Sequence, residues 1–223
     1  MKHWIRWACL AVGATFAFAS AAEQKSEPAA APKFADRPGV VVDIKPNRIY
    51  LTDIARAGSR LITVGERGFT LVSDDEAKTW KAVATPVNRT LTSVAFNDDK
   101  LGIAVGHGGT LVRTEDGGAS WAAVAMDDAY GESLLGVSAL GDGKFAAYGA
   151  FGMYFDTLDG GKSWTKRTVI SEEFEAHISE VVLDKGVLWL VGEAGTLARC
   201  DELCSAFEQV PSPYTGSFFG MVV

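Results

Sequence analysis

The chain has 223 residues, 48% of them hydrophobic, with 24 glycines against 7 prolines, which excludes a disordered or collagen-like polymer and supplies the apolar mass for a core. Its net charge of −7 with no basic run leaves no surface for tracking phosphates, so nucleic acid is not an expected partner.

Lys2 and Arg6 precede an apolar stretch over 7–18 that ends in Ala19-Ser20-Ala21, a small-x-small cleavage site. Residues 1–21 therefore read as a secretory signal peptide. A membrane span needs about 20 apolar residues; this run is shorter and no later one reaches that length, so the protein is not expected to span a membrane. Residues 22–48 are Ala/Pro-rich at first, without a hydrophobic period, and read as a linker. Val40, Val41 and Val42 at its end could serve as the outermost strand of a closing blade.

From residue 49 the sequence repeats. Gly65, Gly106, Gly149 and Gly192 are spaced by 41, 43 and 43 residues, and Trp80, Trp121, Trp164 and Phe207 keep the same intervals. Each unit holds an apolar strand (50–55, 91–96, 134–140, 178–183), a second strand ending at the first glycine of a G-x-x-G turn, a third after the turn, and a fourth starting at the Trp, as in 80–84. Four short strands in such a period predict an all-β fold, a β-propeller of four-stranded blades over about 49–84, 91–125, 134–168 and 178–211. Residues 218–223, FFGMVV, align with LLGVSA at 134–139 and predict the first strand of a fifth blade. The expectation is an incomplete ring whose gene product continues, with exposed apolar sheet faces in the 223-residue chain.

The turn between the third and fourth strands matches S/T-x-D-x-G-x-S/T-W, the Asp box. Its Asp accepts backbone N–H groups, its glycines permit positive φ, and its Trp covers the joint between sheets. The carriers are Asp116, Gly118 and Trp121, then Asp159, Gly161 and Trp164. The first copy keeps Asp75 and Trp80 but has Glu76 and Ala77 where glycines stand, which predicts a looser turn. In the fourth copy Cys200 and Cys204 occupy the box. In an oxidising compartment they read as a disulfide staple, worth roughly 2 kcal/mol by loop closure; a redox pair is the alternative, without the C-x-x-C spacing.

Propeller topology puts the turns between strands two and three on one face with the blade-to-blade connections. The candidate partner-binding residues there are Arg67, His107, Phe151 and Glu193 in the turns and Tyr130, Phe174 and Tyr214 in the connections, the last three at the position Val87 holds after the first blade. Such aromatics either pack between blades or form an exposed patch for a partner. Asp127, Asp128, Glu132, Glu172, Glu173 and Glu175 accompany them, either merely solvated or selecting a cationic partner. His107 and His177 lack ligand spacing for a metal, and Gly106-His107-Gly108-Gly109 precedes no helix that would make it a phosphate loop. No metal, cofactor or catalytic residue is assigned.

The VGxxG, Asp-box and Trp blade, strongest over 106–121 and 149–164, resembles the photosystem II stability/assembly factor family of BNR/Asp-box, WD40/YVTN-like β-propellers. The resemblance covers residues 50–223. It implies a seven-bladed, non-catalytic propeller of the periplasm, or of the thylakoid lumen in a photosynthetic host, that binds a protein partner in assembling membrane or envelope complexes. The family's interaction logic includes a basic patch, whereas Arg67, Arg89 and Arg113 are scattered here in an acidic chain. Sialidases also carry Asp boxes, so a sialidase-like glycoside hydrolase or carbohydrate-binding propeller is the alternative. Their Tyr nucleophile with an acidic partner and an arginine cluster has only a faint echo in Arg37-Pro38.

Overall fold

The structure, a computed structural model, describes residues 48–201 and 206–222. The expected signal peptide and linker, Val40 to Val42, Cys204 and Val223 lie outside the described residues.

Four antiparallel four-stranded sheets follow one another in chain order. Blade 1 is β1 (Leu51–Ala57), β2 (Arg60–Gly65), β3 (Phe69–Ser73) and β4 (Lys81–Ala84). Blade 2 is β5 (Leu91–Phe96), β6 (Gly102–Gly106), β7 (Thr110–Thr114) and β8 (Ala122–Ala123). Blade 3 is β9 (Leu134–Gly141), β10 (Lys144–Gly149), β11 (Tyr154–Thr157) and β12 (Thr165–Lys166). Blade 4 is β13 (Ile178–Asp184), β14 (Val187–Gly192), β15 (Leu197–Asp201) and β16 (Glu208–Gln209). The outer strands begin one residue after the Asp-box aromatic rather than at it, and in blades 2 to 4 they are only two residues long. The aromatic is drawn into the joint between blades, so pairing starts behind it.

Period-two alternation lets consecutive sheets pack face to face. Ile62 and Val64 of β2 meet Val94, Ala104 and Trp121 of blade 2. Ile103 and Val105 of β6 meet Phe145 and Ala147 of blade 3, with Trp164 against them. Ala146 and Tyr148 of β10 meet Leu188, Leu190 and Phe207 of blade 4. Full burial of each such large side chain stabilises by about 1.5–3 kcal/mol. The box aromatics of blades 2 to 4 therefore seal the joint with the blade before, and Phe207 does so edge-on to Tyr154, with centroids 5.1 Å apart.

Near the axis, every inner strand carries a β-bulge after its first residue, at Thr52, Thr92, Leu135 and Ser179. A bulge frees one residue from the ladder, and the freed threonines reach the next blade. Thr52 Oγ1 donates to Leu91 O at 2.6 Å and Thr92 Oγ1 to Leu134 O at 2.8 Å. Asp53 adds to the first joint by accepting Ser93 Oγ and Val94 N, both at 2.9 Å.

Candidate functional site

The face formed by the G-x-x-G turns and the blade connections is fixed by backbone contacts. The second residue of each turn donates its N–H to the carbonyl just before its own inner strand: Glu66 to Tyr50, His107 to Thr90, Ala150 to Ser133 and Glu193 to His177, each at 3.0 Å. A Cβ on the first glycine, Gly65, Gly106, Gly149 or Gly192, would collide with that same carbonyl. At the fourth position Gly152 N donates to Ala176 O at 3.0 Å and Gly195 N to Gly216 O at 2.6 Å, both in the next connection. A Cβ at Gly68, Gly152 or Gly195 would run into the carbonyl of Val87, Phe174 or Tyr214. The two glycines thus lace each turn to its own inner strand and to the following blade. The sequence reads them as turn formers; the lacing needs partners about 16–24 residues away and leaves no local signal.

The turns display Arg67, His107, Phe151 and Glu193, all exposed. Their third residue is left-handed, with φ 59° at Arg67, 69° at Gly108, 52° at Phe151 and 53° at Ala194. The connection residues divide. Val87 and Phe174 are half-buried against the cores of the first and third joints. Tyr130 and Tyr214 are 77% and 52% exposed. Phe174 is therefore mainly a packing residue, while Tyr130 and Tyr214 remain on the surface.

Polar contacts brace this rim. His107 Nδ1 lies 3.0 Å from Ser133 Oγ of the next blade. Glu193 Oε2 accepts His177 N at 3.1 Å and lies 3.3 Å from His177 Nδ1, and the His177 ring stands edge-on to Phe151 at 5.2 Å. Lys166 Nζ sits 5.2 Å from the centroid of the Tyr130 ring.

The Asp boxes lie at the opposite ends of the strands. Asp159 accepts Ser163 N, Ser163 Oγ and Thr157 Oγ1, at 3.0, 2.7 and 2.8 Å; bonds from Ser163 first, then Thr157, hold its carboxyl far below the usual range. Burial pushes the Asp116 carboxyl up, but bonds from Ser120 and Thr114 outweigh it and the net shift is down. The first box is not looser, contrary to expectation. Asp75 accepts Thr79 Oγ1 at 2.6 Å and Thr79 N at 2.8 Å, while Ala77 N donates to Ser73 Oγ at 2.9 Å. The turn closes by holding Glu76 at φ 59° and Ala77 at φ 67°, so the missing glycines appear as backbone strain instead. Two arginines are used on this face. Arg60 Nη1 donates to Asp116 O and Gly117 O at 3.2 and 3.0 Å, and Arg113 Nε donates to Gly160 O. Cys200 is disulfide-bonded.

The Tyr148 hydroxyl lies inside the joint between blades 3 and 4. It is 3.2 Å from Ser138 Oγ, and the Glu180 carboxyl acts on it electrostatically. Burial raises the Tyr148 phenol to about 12 and also raises the Glu180 carboxyl. A Tyr nucleophile paired with an acid needs a lowered phenol pKa and access to substrate; Tyr148 is 3% exposed and shifted the opposite way. Among the described residues no cluster of three His, Cys, Asp or Glu side chains is placed to hold a metal.

Four-stranded antiparallel blades, stitched inner strand to inner strand and turned by Asp boxes, define the β-propeller class. Within it, residues 72–147 match the family model of the photosynthesis system II assembly factor YCF48, so the chain is YCF48-like from β3 through most of β10. No curated protein matches the chain. Among solved structures, YCF48 bound to a D1 peptide is 21% identical with a TM-score of 0.57, covering 72% of this chain and 54% of its own. YCF48 from Cyanidioschyzon merolae is 20% identical with a TM-score of 0.60, covering 77% and 60%. An ancestral GH74 enzyme is 15% identical with a TM-score of 0.62, covering 74% of this chain and 24% of its own. These likenesses show the propeller fold, and the chain spans only 54% and 60% of the two YCF48 structures.

Proposed function

We propose that the protein is an exported, non-catalytic propeller that binds a protein partner through the rim of G-x-x-G turns and blade connections, acting as an assembly factor for a membrane or envelope complex. The carrying observation is that the YCF48-like stretch holds the 106–109 turn and the connections after blades 1 and 2, with His107 and Tyr130, on a rim where the backbone is braced from both sides while aromatic and charged side chains are exposed. A YCF48 has been captured with a D1 peptide, which supports a peptide or protein as the class of ligand. The N-terminal pattern of Lys2, Arg6, apolar run and Ala19-Ser20-Ala21 supports export, and a disulfide-bonded Cys200 fits an oxidising compartment. The proposal names the partner only as a protein of a membrane or envelope complex, because the assembly-factor model covers residues 72–147 alone.

The test is in-cell crosslinking of the tagged full chain followed by fractionation. The expected result is a processed chain beginning near Ala22, crosslinked to one envelope protein. Turnover of chromogenic glycosides with no crosslinked partner would instead favour the glycoside hydrolase reading.

A further inference from the structure

Two exposed aromatics on the rim sit in a backbone conformation that glycine would adopt freely. Phe151 has φ 52° and is 54% exposed; Tyr130 has φ 50° and is 77% exposed. The blade 2 turn has Gly108 at the position of Phe151, so the turn itself does not require a side chain there. A bulky side chain held against its preferred φ and left in water contributes little to folding, which points to use at an interface.

Both rings are pre-set. Phe151 is held by the His177 edge, and His177 by Glu193. Tyr130 already receives a cation on its face, from Lys166 Nζ at 5.2 Å, showing that a cation can approach that ring. Apart from Lys166 and the adjacent Arg167, the charges of the flanking connections are acidic. Asp127 and Asp128 precede Tyr130 and Glu132 follows it, while Glu173 and Glu175 lie in the connection whose Ala176 carbonyl accepts Gly152 N beside Phe151. Among the described residues no ion pair neutralises these five carboxylates. The rim arginines, Arg67 and Arg89, belong to the side of blades 1 and 2, where Arg89 runs along Gly108.

We propose that the blade 3 sector of the rim docks a Lys/Arg-rich extended segment of the protein partner, with Tyr130 and Phe151 as its anchors and the flanking carboxylates setting its charge. This deepens the function proposed above and rests on it. Cation–π contact and charge complementarity favour such a segment over an acidic or neutral one.

The test uses the full chain and three fluorescent peptides of equal length: a Lys/Arg/Gly repeat, the same with Glu for each cation, and the same with Ser. The basic peptide is expected to bind at low salt and weaken about tenfold between 0.05 and 0.5 M NaCl; the other two are expected not to bind. Phe151→Gly and Tyr130→Gly should each weaken binding about tenfold while keeping or raising Tm, since glycine relieves the left-handed residue. Loss of binding with unchanged or higher Tm is what a merely structural role would not produce. Equal binding of all three peptides, or unchanged affinity in both variants, overturns the proposal. Binding of a neutral oligosaccharide lost in the same variants overturns the peptide as occupant. If in-cell crosslinking captures a partner equally in wild type and both variants, this sector fails while the assembly-factor reading stands; if it captures none, that reading fails as well.

Discussion

Asp75, Asp116 and Asp159 do the same work with different backbones around them. In the second and third boxes glycines take the left-handed positions, at Gly117, Gly118, Gly160 and Gly161; in the first, Glu76 and Ala77 do so against their preference. Both side chains are exposed and neither makes a hydrogen bond or ion pair among the described residues. Glu76→Gly with Ala77→Gly should therefore stabilise the chain by up to about 1 kcal/mol per site, with increased unfolded-state entropy offsetting part of the gain, checked by urea midpoint. The box carboxylates also give the protein an acid limit. Asp75 falls from 3.8 to about 2 through its bonds from Thr79 first and Ser73 next, and Asp159 is lowered further. A folded value below the unfolded one contributes stability that is fully present above about pH 4 and is lost as pH falls toward 2. Thermal melts should show that decline, and Asp159→Asn should lower stability at pH 7 while making the acid slope shallower.

At the scale of elements, the G-x-x-G turn is a joint between blades more than a hairpin. Gly131 and Gly152 both have positive φ, 78° and 66°, but a Cβ on Gly131 meets nothing within 4 Å, while one on Gly152 meets the carbonyl of Phe174. Alanine at each site shares the cost of the left-handed backbone, so their difference isolates the close approach. Gly131→Ala should cost about 1–2 kcal/mol, and Gly152→Ala about 3 kcal/mol or more, read from chemical denaturation. The bulge threonines show the same dependence on a neighbour. Thr52 and Thr92 look like ordinary strand residues in the sequence; their use is visible only once the next inner strand is in place.

At the scale of the molecule, three joints between four blades are sealed by Trp121, Trp164 and Phe207. Trp80, the corresponding residue of blade 1, lines an open apolar groove with Leu51, Ile54 and Leu71. Ile54 is 54% exposed there, and no described residue covers it. A face built to pack against another sheet is sticky when bare. In a preparation of this 223-residue chain, Ile54→Lys should leave stability within about 0.5 kcal/mol yet reduce self-association, measured by light scattering.

The period of the glycines and box aromatics was sufficient by itself to place the four described blades, their strand order and the two faces, because each repeat must use the same few residues to make the same turns; the strand expected at 218–223 is not formed over 218–222, where Phe218 N instead donates to Gly192 O of blade 4. The Asp-box bonds were legible for the same reason: Thr157, Asp159 and Ser163 are close in sequence and their chemistry is local. Other features depended on contacts from 16 to 57 residues apart. Tertiary packing alone decided that Phe174 would turn inward while Tyr130 and Tyr214 stayed out, that Arg60 and Arg113 would be committed to box carbonyls of the next blade, and that the VGxxG glycines would serve close backbone approach. A local pattern records which turn a segment can make, but not which neighbouring blade will lie against it.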